Sequence, residues 1–390
     1  MAIEGRSDDA EGGRIRYGMV GGGQGAFIGA VHRLAARMDD QFALVAGALA
    51  SDPERAKASG AGIGLPADRA YGSYSEMLAA ERGRPDGIEA VAIVTPNDTH
   101  FPVAKAALEA GFHVICDKPL TTNSADARAL QELVERSGKV FVLTHNYTGY
   151  PMVRHARAMV ARGDLGKIRV VQAEYPQDWL ATPLETTGQK QAEWRTDPKR
   201  SGAGGAVGDI GTHAYNLAAF VTGLETEAVL AQLSRFVQGR ALDDDCEVLL
   251  RFKGGARGML WASQVATGNE NALKLRVYGD KGGLEWEQEQ PNVLRYAPLG
   301  EPWRILTRGS GAAGPEAARV TRIPPGHPEG YLEGFANIYA EAARAIRAVR
   351  RGGKPDADVL FPTVADGVKG VAFIEACVAS NAAGSVWIGL

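Results

Sequence analysis

The sequence predicts an α/β chain of two domains. The first is a doubly wound parallel sheet, and the second an α+β domain on a mainly antiparallel sheet. Three observations point there. An apolar run over 17–20 feeds the glycine cluster Gly21-Gly22-Gly23-Gln24-Gly25, and a helical pattern follows. Apolar runs and amphipathic stretches then alternate to about residue 147. Beyond it, apolar runs follow one another across glycine turns such as Phe252-Lys253-Gly254-Gly255. Alternating units imply parallel strands covered on both faces, whereas consecutive strands joined by short turns pair antiparallel.

The glycine cluster organises the first domain. Glycines let the backbone approach a dinucleotide pyrophosphate, and the N–H groups and positive end of the next helix meet its charge. Gly21-x-Gly23 with Ala26 in the third slot fits G-x-G-x-x-G/A. Gly29 is a second candidate for that slot if the loop carries three extra residues. A flexible glycine loop is the plain alternative. A helix over 30–38 follows, then an apolar strand over 42–49. Asp52-Pro53-Glu54 reads as a helix start, with Asp as N-cap and Pro at the first helical position.

A short helix over 73–80 precedes the strand Ala90–Val94 and the turn Thr95-Pro96-Asn97-Asp98-Thr99-His100. A helix over 102–110, the strand His113–Cys116, the break Asp117-Lys118-Pro119, the helix Ser124–Ser137 and a strand over 140–143 complete the alternation. In such sheets ligands bind beyond the carboxyl ends of the strands. Gly21, Thr95, Asp117-Lys118 and Asn146 all fall at such ends.

The chain continues with the helix Pro151–Arg162, a strand over 167–175 and a long polar stretch over 176–201. A glycine-rich run over 202–208 enters a helix over 209–220, and strands are expected over 228–238, 246–252, 257–265 and 273–278. Composition makes 308–315 flexible, and helices over Tyr331–Arg350 and 363–380 close the chain.

At 390 residues two domains are the prior, with 45% hydrophobic and 23% charged residues as in an ordinary globule. A net charge of −3 gives no footprint for nucleic acid or an anionic membrane. The three cysteines, Cys116, Cys246 and Cys377, lack metal-ligand spacing, so no metal is expected, and they suit a reducing compartment. No apolar run approaches the ~18 residues that span a bilayer, and the first residues show no signal-peptide pattern. A cytoplasmic location is the expectation. Ile3-Glu4-Gly5-Arg6 spells a protease-cleavage linker and is set aside from fold reasoning.

Taken together, Gly21-x-Gly23, Thr95-Pro96-Asn97-x-x-His100, Asp117-Lys118-Pro119 and Gly208-Asp209-Ile210-Gly211-Thr212-His213 resemble the glucose–fructose oxidoreductase/inositol dehydrogenase (Gfo/Idh/MocA) family in order and spacing. The resemblance runs from about residue 15 to the C-terminus. It implies a flexible N-terminus over 1–14, a Rossmann domain over 15–147 and a substrate-binding and oligomerisation domain over 148–390 with a large open sheet. It implies hydride transfer between NAD or NADP, with NAD preferred, and a secondary hydroxyl of a sugar, glycoside or inositol. The alternative is a tightly held NAD(H) used for transient oxidation in glycoside cleavage or internal redox exchange. A homodimer or homotetramer is also implied. Two features depart from the pattern: Asp117 replaces the usual Glu, and the glycine loop is lengthened by Gln24-Gly25-Ala26.

Candidate site residues follow from both readings. Asp209 and His213 lie four apart on a predicted helix and share a face. A neutral imidazole suits proton abstraction from a hydroxyl, with a carboxylate to orient it. The resemblance implies His213 as general acid/base, Asp209 as its partner and Lys118 as the cation on the substrate oxygen. For the cofactor the candidates are Gly21, Gly23, Gln24, Ala26, Phe27, Ile28, Thr95, Pro96, Asn97, Asp117, Lys118, Asn146, Trp194 and Arg195. Asp52 is the only acid near the end of the second strand, open between a ribose contact and a helix cap, and Ser51 with Arg55 suits a 2′-phosphate equally. His100 is open between a cofactor contact and a structural hydrogen bond. Tyr147, Gln177, Asp178 and Trp179 are substrate-pocket candidates beside Lys118, Asp209 and His213. An aromatic face with polar neighbours suits a sugar ring.

Overall fold

In the computed structural model residues 13–390 are described. Positions 1–12, which hold most of the expected flexible N-terminus and the linker-like run at 3–6, lie outside the described residues. The chain divides into two compact units. One holds the described residues up to Thr121, Ala125–Asn146 and Tyr331–Val368; the other holds Thr122–Ser124, Tyr147–Gly330 and Lys369–Leu390.

The first unit is built on β1 (Ile15–Gly21), β2 (Phe42–Ala48), β3 (Ala90–Val94), β4 (His113–Cys116) and β5 (Phe141–Leu143). They form a five-stranded sheet in the order β2-β1-β3-β4-β5, with every pair parallel. β3 is buried at all five positions, as its continuous apolar sequence requires. The order reverses between β1 and β3, so the switch point lies at the ends Gly21 and Val94.

The helix Tyr331–Arg350, expected in the C-terminal domain, belongs to this first unit. Its apolar positions Phe335, Ile338, Tyr339, Ala342 and Ile346 recur at helical spacing and join one buried cluster with Ile15, Tyr17, Val31, Ala35 and Phe42. Burying a Phe or Ile side chain contributes about 1.5–3 kcal/mol. The amphipathic period foretells the helix but not which sheet receives its apolar face.

The second unit is built on β6 (Ile168–Pro176), β7 (Thr226–Ser234), β8 (Asp245–Phe252), β9 (Arg257–Ser263), β10 (Lys274–Gly279), β11 (Gly282–Glu287), β12 (Val293–Pro298), β13 (Arg304–Thr307) and β14 (Ile388–Gly389). The nine strands run β13-β12-β11-β10-β6-β9-β8-β7-β14, antiparallel except for β6 with β9. The alternating burial of β8 shows one face inward and one outward.

Four of these strands, β11 to β14, were not anticipated. Gly282 and Gly283 open β11, and Gly283 pairs with Tyr278. A Cβ on Gly283 would stand 2.8 Å from the Tyr278 ring, so the glycine makes room for a cross-strand aromatic. The stretch over 308–315 is anchored at its first residue. Arg308 is buried, pairs with Glu329 at 3.0 Å and donates to the Ile323 carbonyl at 2.7 Å.

Candidate functional site

The glycine turn closes β1. Gly21 and Gly22 have φ of 82° and 73°, which only glycine adopts without strain. A Cβ on Gly23 would lie 2.5 Å from the Leu49 carbonyl oxygen. A Cβ on Gly29 would lie 2.3 Å from Gly22 Cα. Of the two candidates for the third slot, Gly29 is the one that makes its close helix-to-turn packing. Ala26 is instead the N-cap of the helix Phe27–Met38 and makes no side-chain capping bond. A methyl group cannot satisfy the first-turn N–H groups, so they and the helix dipole remain available to an anion. Gln24 is exposed, Phe27 is 67% exposed, and Ile28 packs against the core.

Beyond β2, Ser51 is exposed. Asp52 caps the helix Pro53–Gly62, its Oδ1 accepting from the Arg55 amide at 2.8 Å. Of its two open readings, the cap is the contact observed.

Beyond β3, Pro96 leads into a short turn of helix and Asn97 is buried. His100 is fully buried, with Nδ1 2.7 Å from the Pro119 carbonyl and Nε2 3.0 Å from the Thr95 carbonyl. Both ring nitrogens are engaged by backbone. Of its two open readings, the structural hydrogen bond is the contact observed: His100 ties the Thr95 turn to the Pro119 turn. Burial pushes its pKa down.

Beyond β4, Asp117 accepts from the Thr144 hydroxyl at 2.6 Å and stands 3.2 Å from His32 Nε2. His32 Nδ1 lies 2.7 Å from the Tyr339 hydroxyl. Burial works against the Asp117 charge, but His32 and Thr144 outweigh it and hold the carboxyl below its ordinary range. The shorter acid at this position is thus matched by its own partners. Lys118 follows, and the Lys118–Pro119 peptide is cis. Beyond β5, burial, reinforced by the Lys118 charge, pushes His145 down to about 3. Sequence reasoning missed His32. Its only signal was a lone polar ring on a helix face otherwise rich in apolar residues.

Two buried side-chain atoms at this edge have no protein partner: Thr95 Oγ1, after β3, and Asn146 Nδ2, after β5. Buried polar atoms are rarely left unpaired. Together with the glycine turn, they fit a dinucleotide lying along the carboxyl edge of the sheet.

In the second unit, Asp209 sits in a wide helical turn of π type, Val207–Gly211, which runs into the helix Thr212–Thr222 carrying His213. The expected single α-helix over 209–220 is therefore a π turn followed by an α-helix. Such turns often mark functional positions. The turn is anchored by Asp243, whose carboxylate accepts from the Gly205 and Val207 amides at 2.6 and 2.8 Å. Burial raises the Asp243 pKa to about 6.

Asp209 Oδ2 accepts from Arg195 Nε at 3.1 Å and from Gln264 Nε2 at 2.9 Å. Arg195 lies on the short helix Lys190–Arg195 within the long polar stretch, 4.2 Å from the Trp194 ring centre and 5.9 Å from that of Trp179. His213 is buried edge-on to Tyr147, with ring centres 4.9 Å apart, and Tyr175 is 6.2 Å away. Tyr147 and Tyr175 share a hydrogen bond between their hydroxyls. The Tyr175 hydroxyl and Gln177 Nε2 both donate to Asn271 Oδ1 at 2.7 Å. Asp178 Oδ2 accepts from the Gly268 amide at 2.9 Å.

The second unit thus brings together Tyr147, Gln177, Trp179, Arg195, Asp209 and His213 from the expected set. Gln264, Tyr175 and Asn271 were missed; they sit at strand ends and in a turn without a motif. Among the described residues no group of three or more His, Cys, Asp or Glu could hold a metal ion, and no helix is long and apolar enough to cross a membrane.

Residues 15–156 match the oxidoreductase family with an NAD-binding Rossmann fold, and residues 153–285 match the GFO/IDH/MocA C-terminal domain. The chain is 56% identical to an oxidoreductase from Sinorhizobium meliloti, covering 96% of this chain and 99% of the other at a TM-score of 0.88. It is 38% identical to an inositol dehydrogenase homolog from Azotobacter vinelandii whose crystal structure holds NADH and myo-inositol, covering 97% and 98% at a TM-score of 0.91. It is 29% identical to the levoglucosan dehydrogenase of Pseudarthrobacter phenanthrenivorans, covering 96% of this chain and 97% of the relative.

Proposed function

Because the chain belongs to the GFO/IDH/MocA family of oxidoreductases with an NAD-binding Rossmann fold, we propose that it is a dehydrogenase acting on a secondary hydroxyl of a sugar, glycoside or cyclitol. The observation that carries this reading is the setting of His213: a buried imidazole boxed by two tyrosine rings, four residues beyond a carboxylate held by Arg195 and Gln264.

In the oxidation direction a ring nitrogen of His213 takes the proton of the substrate hydroxyl, and Asp209 favours the resulting imidazolium. The Lys118 ammonium steadies the substrate oxygen as it becomes a carbonyl. Asp117, held ionised by His32 and Thr144, stands next to Lys118 in sequence and orients it. The NAD cofactor, when bound, supplies the hydride acceptor. Gly21, Gly22, Gly23 and Gly29, the uncapped N–H groups after Ala26, Thr95 and Asn146 would hold it. Support for a polyol substrate comes from the relatives that hold myo-inositol or are named for levoglucosan, and from the hydroxyl- and amide-rich surroundings of His213.

The test is a scan for reduced nicotinamide with purified protein, NAD and NADP supplied separately, over inositols, aldoses, anhydrosugars and glycosides. Steady reduction with one polyol class is the expected result. Bound nucleotide released on denaturation, with no net reduction of added cofactor, would instead favour internal recycling of a tightly held NAD(H).

A further inference from the structure

The hydrogen bonds around Asn271 point to a residue that sets what the substrate site can recognise. An asparagine amide offers two N–H donors and two acceptor lone pairs. Asn271 uses all four. Oδ1 accepts from the Tyr175 hydroxyl and from Gln177 Nε2, each at 2.7 Å. Nδ2 donates to Gln288 Oε1 at 2.7 Å and to the Tyr147 hydroxyl oxygen at 3.4 Å. Its main chain is pinned as well: the amide donates to Glu289 Oε1 at 2.9 Å, and the carbonyl accepts from Leu273 N at 2.8 Å.

This saturation gives the network a direction. Tyr175 spends its proton on Asn271, so in the bond between the two hydroxyls Tyr147 is the donor and Tyr175 the acceptor. Gln177 is turned with its nitrogen toward Asn271, which leaves Oε1 as the end of that amide the network does not take. The backbone of Gln177 is fixed from both sides, donating to the Ser263 carbonyl at 2.7 Å and accepting from the Ala266 amide at 2.9 Å. An amide locked in this sense presents an acceptor. The rings of Tyr147 and Tyr175 meanwhile pack against His213.

We propose that Asn271 is a specificity-determining positioning residue: it locks Gln177 so that its carbonyl oxygen accepts a hydroxyl of a neutral polyol ring, beside the hydroxyl that is oxidised. The inference rests on the proposed function and names the recognition element of that site. Asn271 acts through Gln177 and does not itself touch the substrate.

The variants separate this role from simple packing. Asn271→Asp gives up the donor contacts to Gln288 and Tyr147 but keeps both acceptor contacts to Tyr175 and Gln177, so the Gln177 lock survives. Asn271→Leu removes the lock. Gln177→Ala removes the reader on a half-buried side chain with little burden on folding.

The test compares kcat and KM of the full-length wild type and the three variants. The probes are myo-inositol, levoglucosan and the mono-deoxy derivatives of each, with NADH affinity measured alongside. In the wild type at least one deoxy derivative is expected to lose about 10-fold or more in kcat/KM, the scale of one hydrogen bond. Asn271→Leu and Gln177→Ala are expected to erase that discrimination, mostly by raising KM for the parent polyol, with NADH affinity unchanged. Asn271→Asp is expected to retain it.

Wild-type discrimination in Gln177→Ala, or in folded Asn271→Leu, overturns the inference, as does a wild type indifferent to every deoxy derivative. A wild type that oxidises no polyol overturns the proposed function and the inference with it. Should Asn271→Leu fail to fold, Gln177→Ala and Asn271→Asp still decide the matter.

Discussion

Arg195 and Asp209 form an ion pair, Nε to Oδ2 at 3.1 Å, between the short helix of the long polar stretch and the turn that leads into His213. Gln264 places a second donor on the same oxygen at 2.9 Å. The guanidinium lowers the negative potential that Asp209 exerts on its surroundings. Replacing Arg195 by Ala exposes the imidazole of His213 to a less compensated carboxylate, which favours its protonated form. A base must be neutral to accept a proton. The acid limb of the kcat/KM profile is therefore expected to move to higher pH. An unchanged profile with reduced kcat alone would show that Arg195 only shapes the loop.

Lys118→Ala and His213→Ala are each expected to lower turnover by ~100-fold or more while leaving NADH affinity within a few-fold. Steady-state kinetics and fluorescence titration of NADH separate the two quantities. Wild-type turnover in either variant would remove that residue from the proposed mechanism.

Gly29→Ala tests the glycine turn. The added methyl would need to occupy space 2.3 Å from Gly22 Cα, so the turn and the helix start must separate. Weaker NADH binding by ~10-fold or more and a lower melting temperature are expected, since an overpacked contact costs about 1–3 kcal/mol. Ala26→Gly, at the slot read from sequence, is expected to change NADH binding much less. Calorimetric titration and thermal melts of both variants provide the comparison.

The buried histidines of the first unit make its stability depend on pH. Burial lowers His145 to about 3 and His113 to about 4, against about 6.5 for an unfolded histidine. Between those values the unfolded chain binds more protons than the folded one, so stability falls as pH drops below about 6.5. Each pH unit costs about 1.4 kcal/mol per histidine in that window. Urea midpoints between neutral pH and about pH 4.5 are expected to decline, and His145→Gln to decline less steeply. An identical slope in the variant would assign the acid sensitivity to other groups.

The sequence by itself determined the alternation of strands and helices in the first unit, the positions of the turns after β1, β3, β4 and β5, and the four-residue spacing that sets Asp209 and His213 on one helical path. These are local properties. A period of apolar residues, a glycine at a tight turn or a four-residue spacing is written within a dozen positions of chain.

Only the tertiary structure decided the partners. Gly29 rather than Ala26 fills the third slot because Gly22 Cα lies against it. His32 meets Asp117 across 85 positions and Tyr339 across 307. The helix Tyr331–Arg350 returns to the first unit, and Asn271 becomes the hub of a network that joins Tyr147, Tyr175, Gln177 and Gln288. Each outcome depends on which apolar face finds which sheet and which buried polar atom finds a partner. No local period encodes those choices, because they are settled by the balance of burial and hydrogen bonding over the whole folded chain.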